Sequence, residues 1–242
     1  VTFRLDSIGG TLWLLLPTHH PELTMQYSKQ GFINLCLQHN ILSFGEFALK
    51  SGRISPYFFN AGLFHNGFLL GQLAGHYARL LATALGSESQ FMLYGPAYKG
   101  IPLAAACAVR LADDHGLSVP YAFNRKEAKD HGEGGNIVGA SLEGDVVIVD
   151  DVITAGTSVA ESVDIIQSEG ARPVAVVIAL DREERAGSDN QSAVQIVETQ
   201  YGLPVYAIIR LSDLVTHIED SADMAPYVQA MQDYRTRYGV VS

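Results

Sequence analysis

The residues best able to do chemistry in this 242-residue sequence form one run: Val146-Val147-Ile148-Val149-Asp150-Asp151-Val152-Ile153-Thr154-Ala155-Gly156-Thr157-Ser158. Four apolar, β-branched residues in a row suit a strand buried on both faces of a parallel sheet. That strand delivers two adjacent carboxylates to its exposed end. A small, hydroxyl-rich loop then opens a helix, whose first backbone N–H groups and dipole favour an anion. Gly156 permits close backbone approach. Thr154, Thr157 and Ser158 add hydroxyl donors. Asp150 and Asp151 would repel a phosphate, so they suit sugar hydroxyls or a hydrated Mg²⁺ with few protein ligands. A phosphate at one end and vicinal hydroxyls at the other describe a ribose 5-phosphate. An Asp N-cap followed by a Thr-capped turn accounts for one carboxylate but not for the pair and three hydroxyls.

Three further segments carry unusual chemistry. Tyr94-Gly95-Pro96-Ala97-Tyr98-Lys99-Gly100 joins a strand to a helix. It approaches a phosphate-cradling NTPase loop, but Ile101 stands where that loop requires lysine. Lys99 is a point charge suited to phosphate. Residues 124–135, Asn-Arg-Lys-Glu-Ala-Lys-Asp-His-Gly-Glu-Gly-Gly, lack apolar periodicity and read as a mobile, exposed loop. There Arg125, Lys126, Lys129 and His131 concentrate positive charge in an acidic protein, as a lid over pyrophosphate would. Asp181-Arg182-Glu183-Glu184 follows another buried run. Arg182 could grip a carboxylate through two parallel hydrogen bonds or pair with Glu183 or Glu184. Residues 44–60 combine a basic turn, Lys50-Ser51-Gly52-Arg53, with Tyr57-Phe58-Phe59. A flat heterocycle could stack there, although adjacent aromatics in a strand face opposite ways and at least one should be core.

The elements that must position these residues follow from periodicity. Residues 26–39 form an amphipathic helix and 41–62 a small irregular sheet. Leu70, Leu73, Tyr77, Leu80 and Ala84 mark a helix, 91–94 a strand, 101–111 a buried helix and 121–123 a strand end. A helix with Val159, Val163 and Ile166 on one face follows the acidic pair. Residues 174–180 and 205–209 are strands, and 227–238 a closing helix. This alternation gives an α/β domain with a mostly parallel sheet. Ligands of such sheets bind beyond the carboxyl ends of the strands, where the unusual segments lie.

A formal net charge of −10 argues against nucleic acid as a partner. Cys36 and Cys107 have no metal-ligand spacing and read as buried thiols. No apolar run reaches the ~18–20 residues that span a bilayer, so a cytoplasmic protein is expected, without membrane partners. Residues 1–24 lack periodicity and are expected to be an added or start-site-derived extension. The domain proper is then 25–242, with a hood over about 25–66 plus a C-terminal part and a core over about 67–210.

The run at 146–158 resembles the phosphoribosyl pyrophosphate (PRPP) motif of type I phosphoribosyltransferases. Residues 129–135, Lys-Asp-His-Gly-Glu-Gly-Gly, with the Lys-Ser-Gly-Arg and Ser-Pro-Tyr-Phe segments, resemble orotate phosphoribosyltransferases over essentially all of 25–242. The resemblance implies the type I fold with a hood and Mg²⁺-dependent transfer of phosphoribose from PRPP to orotate. Asp150 and Asp151 then hold the ribose hydroxyls, and Thr154, Ala155, Gly156, Thr157 and Ser158 the 5′-phosphate. Tyr98 and Lys99 belong to the pyrophosphate loop, whose Ala97–Tyr98 peptide is expected to be cis. Arg125, Lys126, Lys129 and His131 meet pyrophosphate, with Lys129, His131, Arg125 and Asp151 as the catalytic set. Lys50 reaches both substrates. Arg182 and Thr154 meet orotate, and Phe58 or Phe59 stacks on it, Phe59 being favoured. Mg²⁺ is held mainly by PRPP and water, near Asp150 and Asp151. The resemblance also implies a homodimer in which 125–135 reaches the partner's site. A transferase acting on uracil or a purine, or a PRPP-sensing regulator, remain the alternatives at this point.

Overall fold

Short apolar runs build the centre of the molecule, and their alternation explains why helices must cover both faces. In β6 (Asp145–Val149) and β7 (Arg172–Asp181) every residue from 146 to 149 and from 175 to 181 is buried. A computed structural model describes residues 27–49, 52–86, 89–129, 135–154, 156–186 and 190–240. The six-stranded sheet has the order β5-β4-β3-β6-β7-β8, with β3 at Met92–Gly95, β4 at Tyr121–Lys129, β5 at Gly135–Gly139 and β8 at Val205–Arg210. All pairings are parallel except β4 with β5.

Side chains alternate across this sheet, so two apolar layers form. Leu93, Val147, Val149, Val177 and Ala179 pack with Leu73, Tyr77 and Leu81 of α2 (Gly67–Leu85) and Leu103, Cys107 and Leu111 of α3 (Gly100–His115). Met92, Val146, Ile148, Val176 and Ile178 pack with Val159, Val163 and Ile166 of α4 (Thr157–Ser168) and Val194 and Val197 of α5 (Ala193–Tyr201). Helices α1 (Lys29–Gln38), α6 (Leu211–Glu219) and α7 (Ala225–Tyr238) extend the first layer. Both cysteines are free and buried. Among the described residues no helix is long and apolar enough to cross a membrane.

A separate antiparallel hairpin joins β1 (Leu42–Ala48) to β2 (Ile54–Phe59), with a register shift between Phe44 and Phe47. The hairpin rests on α7: Phe44 stacks on Tyr227 at 5.6 Å and Tyr57 meets Tyr234 edge-on at 6.2 Å.

Two expectations change. The segment expected as a loop from residue 124 is strand through Lys129, paired back to Gly135–Gly139 as a hairpin. It pairs with β5 at residues 122–124 and again at 129, with a register shift between them, so the polar run does not follow the alternation of a regular strand. Two helices, α5 and α6, lie where none was expected. The expected extension at 1–24 lies outside the described residues.

Candidate active site

Two stretches of backbone meet at the carboxyl edge of β3 and β6. The loop after β3 turns tightly: a Cβ on Gly95 would lie 2.1 Å from the Gly100 carbonyl oxygen, and one on Gly100 would lie 2.8 Å from the Val149 carbonyl oxygen. Only glycine permits this approach. The Ala97–Tyr98 peptide is cis, as expected. Ala97 N–H donates to the Asn124 side-chain oxygen at 2.9 Å, which fastens the loop to β4. Lys126 of β4 places its ammonium 5.1 Å from the centre of the exposed Tyr98 ring.

After β6, Asp150 and Asp151 are buried. Asp150 accepts hydrogen bonds from the Asp151 N–H at 2.8 Å and the Ser158 hydroxyl at 2.9 Å. Asp151 accepts from Val152 N–H at 3.0 Å and ion-pairs with Lys99 at 2.5 Å. Behind them, the wholly buried Tyr77 of α2 donates its hydroxyl to the Asp150 carbonyl oxygen at 2.8 Å. Burial, reinforced by repulsion from Asp151, pushes the Asp150 carboxyl up to about 6, while its hydrogen bonds oppose the rise. Gly156 takes φ +75° as N-cap of α4 and offers no side-chain cap. Thr154, Thr157 and Ser158 are exposed around that helix start.

Sequence reasoning placed Asp150, Asp151, Ser158 and Lys99 at one site, and hydrogen bonds join them here. Ser158, expected on a phosphate, donates to Asp150. Arg125 is half-buried in β4 beside Lys126. The expectations for Lys50, Ala155, His131 and the Lys129 side chain lie outside the described residues.

A second cluster surrounds Arg182. Its Nε donates to Glu184 at 3.0 Å and to the Tyr57 hydroxyl at 3.2 Å. Tyr57 donates in turn to Glu184 at 3.0 Å, and Arg53 approaches the same carboxylate at 3.5 Å. Burial works against the Arg182 cation, but Tyr57 and Glu184 outweigh it and its pKa is raised. In β2, Phe58 is exposed and stacks on Phe47 at 5.5 Å, while Phe59 is partly buried beside Phe64. The pairing of Arg182 with Glu184 is the alternative that the sequence offered, and it forms here. Sequence reasoning missed the roles of Tyr57 and Tyr77, whose hydroxyls carry no local signal.

The adjacent carboxylates fit a hydrated divalent cation better than a caged one. Among the described residues no group of three His, Cys, Asp or Glu side chains converges as a metal site.

Residues 70–209 match the family described as phosphoribosyl transferase domain. The chain is 57% identical over 216 residues to the orotate phosphoribosyltransferase of Bordetella bronchiseptica, covering 86% of this chain and 96% of that protein. It is 54% identical over 216 residues to that of Thioalkalivibrio sulfidiphilus, covering 89% and 100%. Among solved structures, the orotate phosphoribosyltransferase of Francisella tularensis superimposes with a TM-score of 0.77 at 40% identity, covering 86% and 98%.

Proposed function

Since the chain belongs to the orotate phosphoribosyltransferase family, we propose that it joins orotate to the ribose of PRPP and releases pyrophosphate. The product is orotidine 5′-monophosphate, a step of pyrimidine (UMP) biosynthesis. The observation that carries this reading is the buried acidic pair at the end of β6, set directly ahead of a helix whose N-cap is a bare glycine. A ligand with vicinal hydroxyls and a phosphate matches that order.

The reaction is substitution at C1 of the ribose. The bond to pyrophosphate breaks as the bond to the orotate nitrogen, bound already deprotonated, forms through a sugar with oxocarbenium character. Asp150 and Asp151 bind the ribose hydroxyls and favour the positive sugar, and residues 154–158 bind the 5′-phosphate. Tyr98, Lys99, Arg125, Lys126, Lys129 and His131 hold the leaving pyrophosphate and stabilise its charge. Lys50 reaches both substrates. Arg182 takes the orotate carboxylate, with Thr154 alongside, and the aromatic pair Phe58–Phe59 supplies a stacking face. Mg²⁺ would enter with PRPP, near Asp150 and Asp151, and would neutralise charge on the pyrophosphate. The active form is a homodimer in which the segment 125–135 serves the partner's site.

The test is ultraviolet absorbance of orotate with protein, PRPP and Mg²⁺, with uracil, hypoxanthine and adenine in parallel. Loss of the orotate signal that requires PRPP and Mg²⁺, with no turnover of the other bases, is expected. Turnover of another base, or none by folded protein that binds PRPP, overturns the reading.

A further inference from the structure

Three donors converge on one carboxylate at the base of the second cluster. Glu184 Oε1 receives Arg182 Nε at 3.0 Å, Arg182 Nη2 at 2.8 Å and the Tyr57 hydroxyl at 3.0 Å. Glu184 Oε2 lies 3.5 Å from Arg53 Nη1. The Arg182 guanidinium is thus held along its Nε/Nη2 edge. Among the described residues no hydrogen-bond partner meets Nη1, so the opposite edge is left to bind. A guanidinium edge matches a planar carboxylate through two parallel N–H bonds, provided its plane is fixed beforehand.

The backbone beneath Glu184 is also fixed. Glu184 bridges to Gly239, Arg185 N–H donates to the Tyr238 carbonyl at 2.8 Å, and Val240 N–H donates to the Glu183 carbonyl at 2.9 Å. Glu183 takes φ +49°, and its carboxylate accepts from Ser212 N–H at 2.7 Å in the first turn of α6. Arg53, besides facing Glu184, lies 4.9 Å over the Tyr238 ring and donates to the Arg185 carbonyl at 3.1 Å. The base of β2, the end of β7 and the C-terminal segment therefore share one ionic joint.

We propose that Glu184 is a positioning residue for the carboxylate-bearing substrate. It orients Arg182 by holding one guanidinium edge, and it ties that orientation to the β1–β2 hairpin through Tyr57 and Arg53. The inference rests on the reading of Arg182 as the orotate contact. Glu184 touches no substrate itself. It acts through Arg182, so its effect belongs to orotate and not to PRPP.

Steady-state kinetics of Glu184→Ala, Arg182→Ala and the double variant test this, with thermal melting as the control for folding. Wild-type turnover is measured first: if orotate is not turned over, the functional reading fails and not this inference. With an active wild type, Glu184→Ala should raise the KM for orotate about 10-fold or more, as loss of a charge-assisted hydrogen bond would, and leave the KM for PRPP within about 2-fold. In the Arg182→Ala background the same change should add little, because the residue through which it acts is gone. Glu184→Gln, which keeps the shape and one acceptor oxygen, should recover part of the orotate KM, and serves if the alanine variant does not fold. An unchanged orotate KM, equal rises in both KM values, or full additivity in the double variant overturns the proposal.

Discussion

Lys99 and Asp151 stand in unequal surroundings: the lysine side chain is 65% exposed, the carboxylate 8%, and 2.5 Å separates them. The cation comes from the loop after β3 and the anion from the end of β6. An ion pair with one partner in water contributes at most about 1 kcal/mol to stability. Lys99→Ala should therefore melt within a few degrees of wild type, about what that energy amounts to. It should raise the KM for PRPP about 10-fold or more, since a charge-assisted contact to pyrophosphate is lost. Kinetics with varied PRPP decide, and an unaltered KM would remove Lys99 from the site.

Phe58 and Phe59 separate by what their rings touch. Phe59 leans on the core beside Phe64, so Phe59→Ala should cost about 1–3 kcal/mol of stability, measured by denaturant unfolding. Phe58→Ala removes an exposed ring and should cost under about 1 kcal/mol. The variant with the larger rise in orotate KM identifies the stacking ring. A rise in neither would exclude both.

Gly100 and Gly71 make a matched pair. A Cβ at Gly100 meets Pro96 Cδ at 2.5 Å and two backbone atoms at 2.8 Å, none of them the free end of a flexible side chain. Gly100→Ala should displace the loop, destabilise by about 1–3 kcal/mol and weaken PRPP binding. A Cβ at Gly71, inside α2, meets nothing within 4 Å. Gly71→Ala should stabilise by about 0.5–1 kcal/mol through helix propensity. Melting curves for the two should move in opposite directions.

His76 makes acid stability testable. Burial, with help from Arg79, lowers its pKa from 6.5 to about 4. It packs edge-on against Tyr27 at 5.1 Å and Phe32 at 4.9 Å. The unfolded chain binds the proton first, so this contribution to stability is complete above pH 6.5, is lost progressively as pH falls from 6.5 to 4, and changes little below. The loss reaches about 3 kcal/mol. His76→Gln should lose less stability than wild type between pH 6.5 and 4. Asp150, whose pKa is raised, works in the opposite direction below pH 6, but it does so equally in both proteins. Parallel curves would show that His76 does not titrate with folding.

The parts of this fold legible in sequence are those written in local pattern. The run 146–149, the acidic pair and the Thr/Gly/Ser loop announce a strand, its exposed end and a helix start, and β6 and α4 follow them. The β4–β5 hairpin was illegible because its register shifts between Asn124 and Lys129, and nothing in the polar run 124–129 alternates. Helix α6 begins at Leu211, immediately after β8 ends at Arg210, with no glycine or proline to mark the junction. Helix α5 did leave a trace: Ser192 and Gln195 form a capping box. The Arg182 cluster is a matter of distance along the chain. Tyr57 and Glu184 are 127 positions apart, and local pattern does not pair such residues.

Tyr77 has a consequence for how such a protein can diverge. Its ring fills the core between α2 and the sheet, while its hydroxyl holds the carbonyl of Asp150. A phenylalanine would fill the same space and leave that carbonyl without this donor. With Asp150 on the ribose as proposed, selection for substrate binding would reach into the packed interior at this position. Drift tolerated by the core as a whole would be vetoed here, and a change that looks like harmless repacking would be inherited as a change in the catalytic edge.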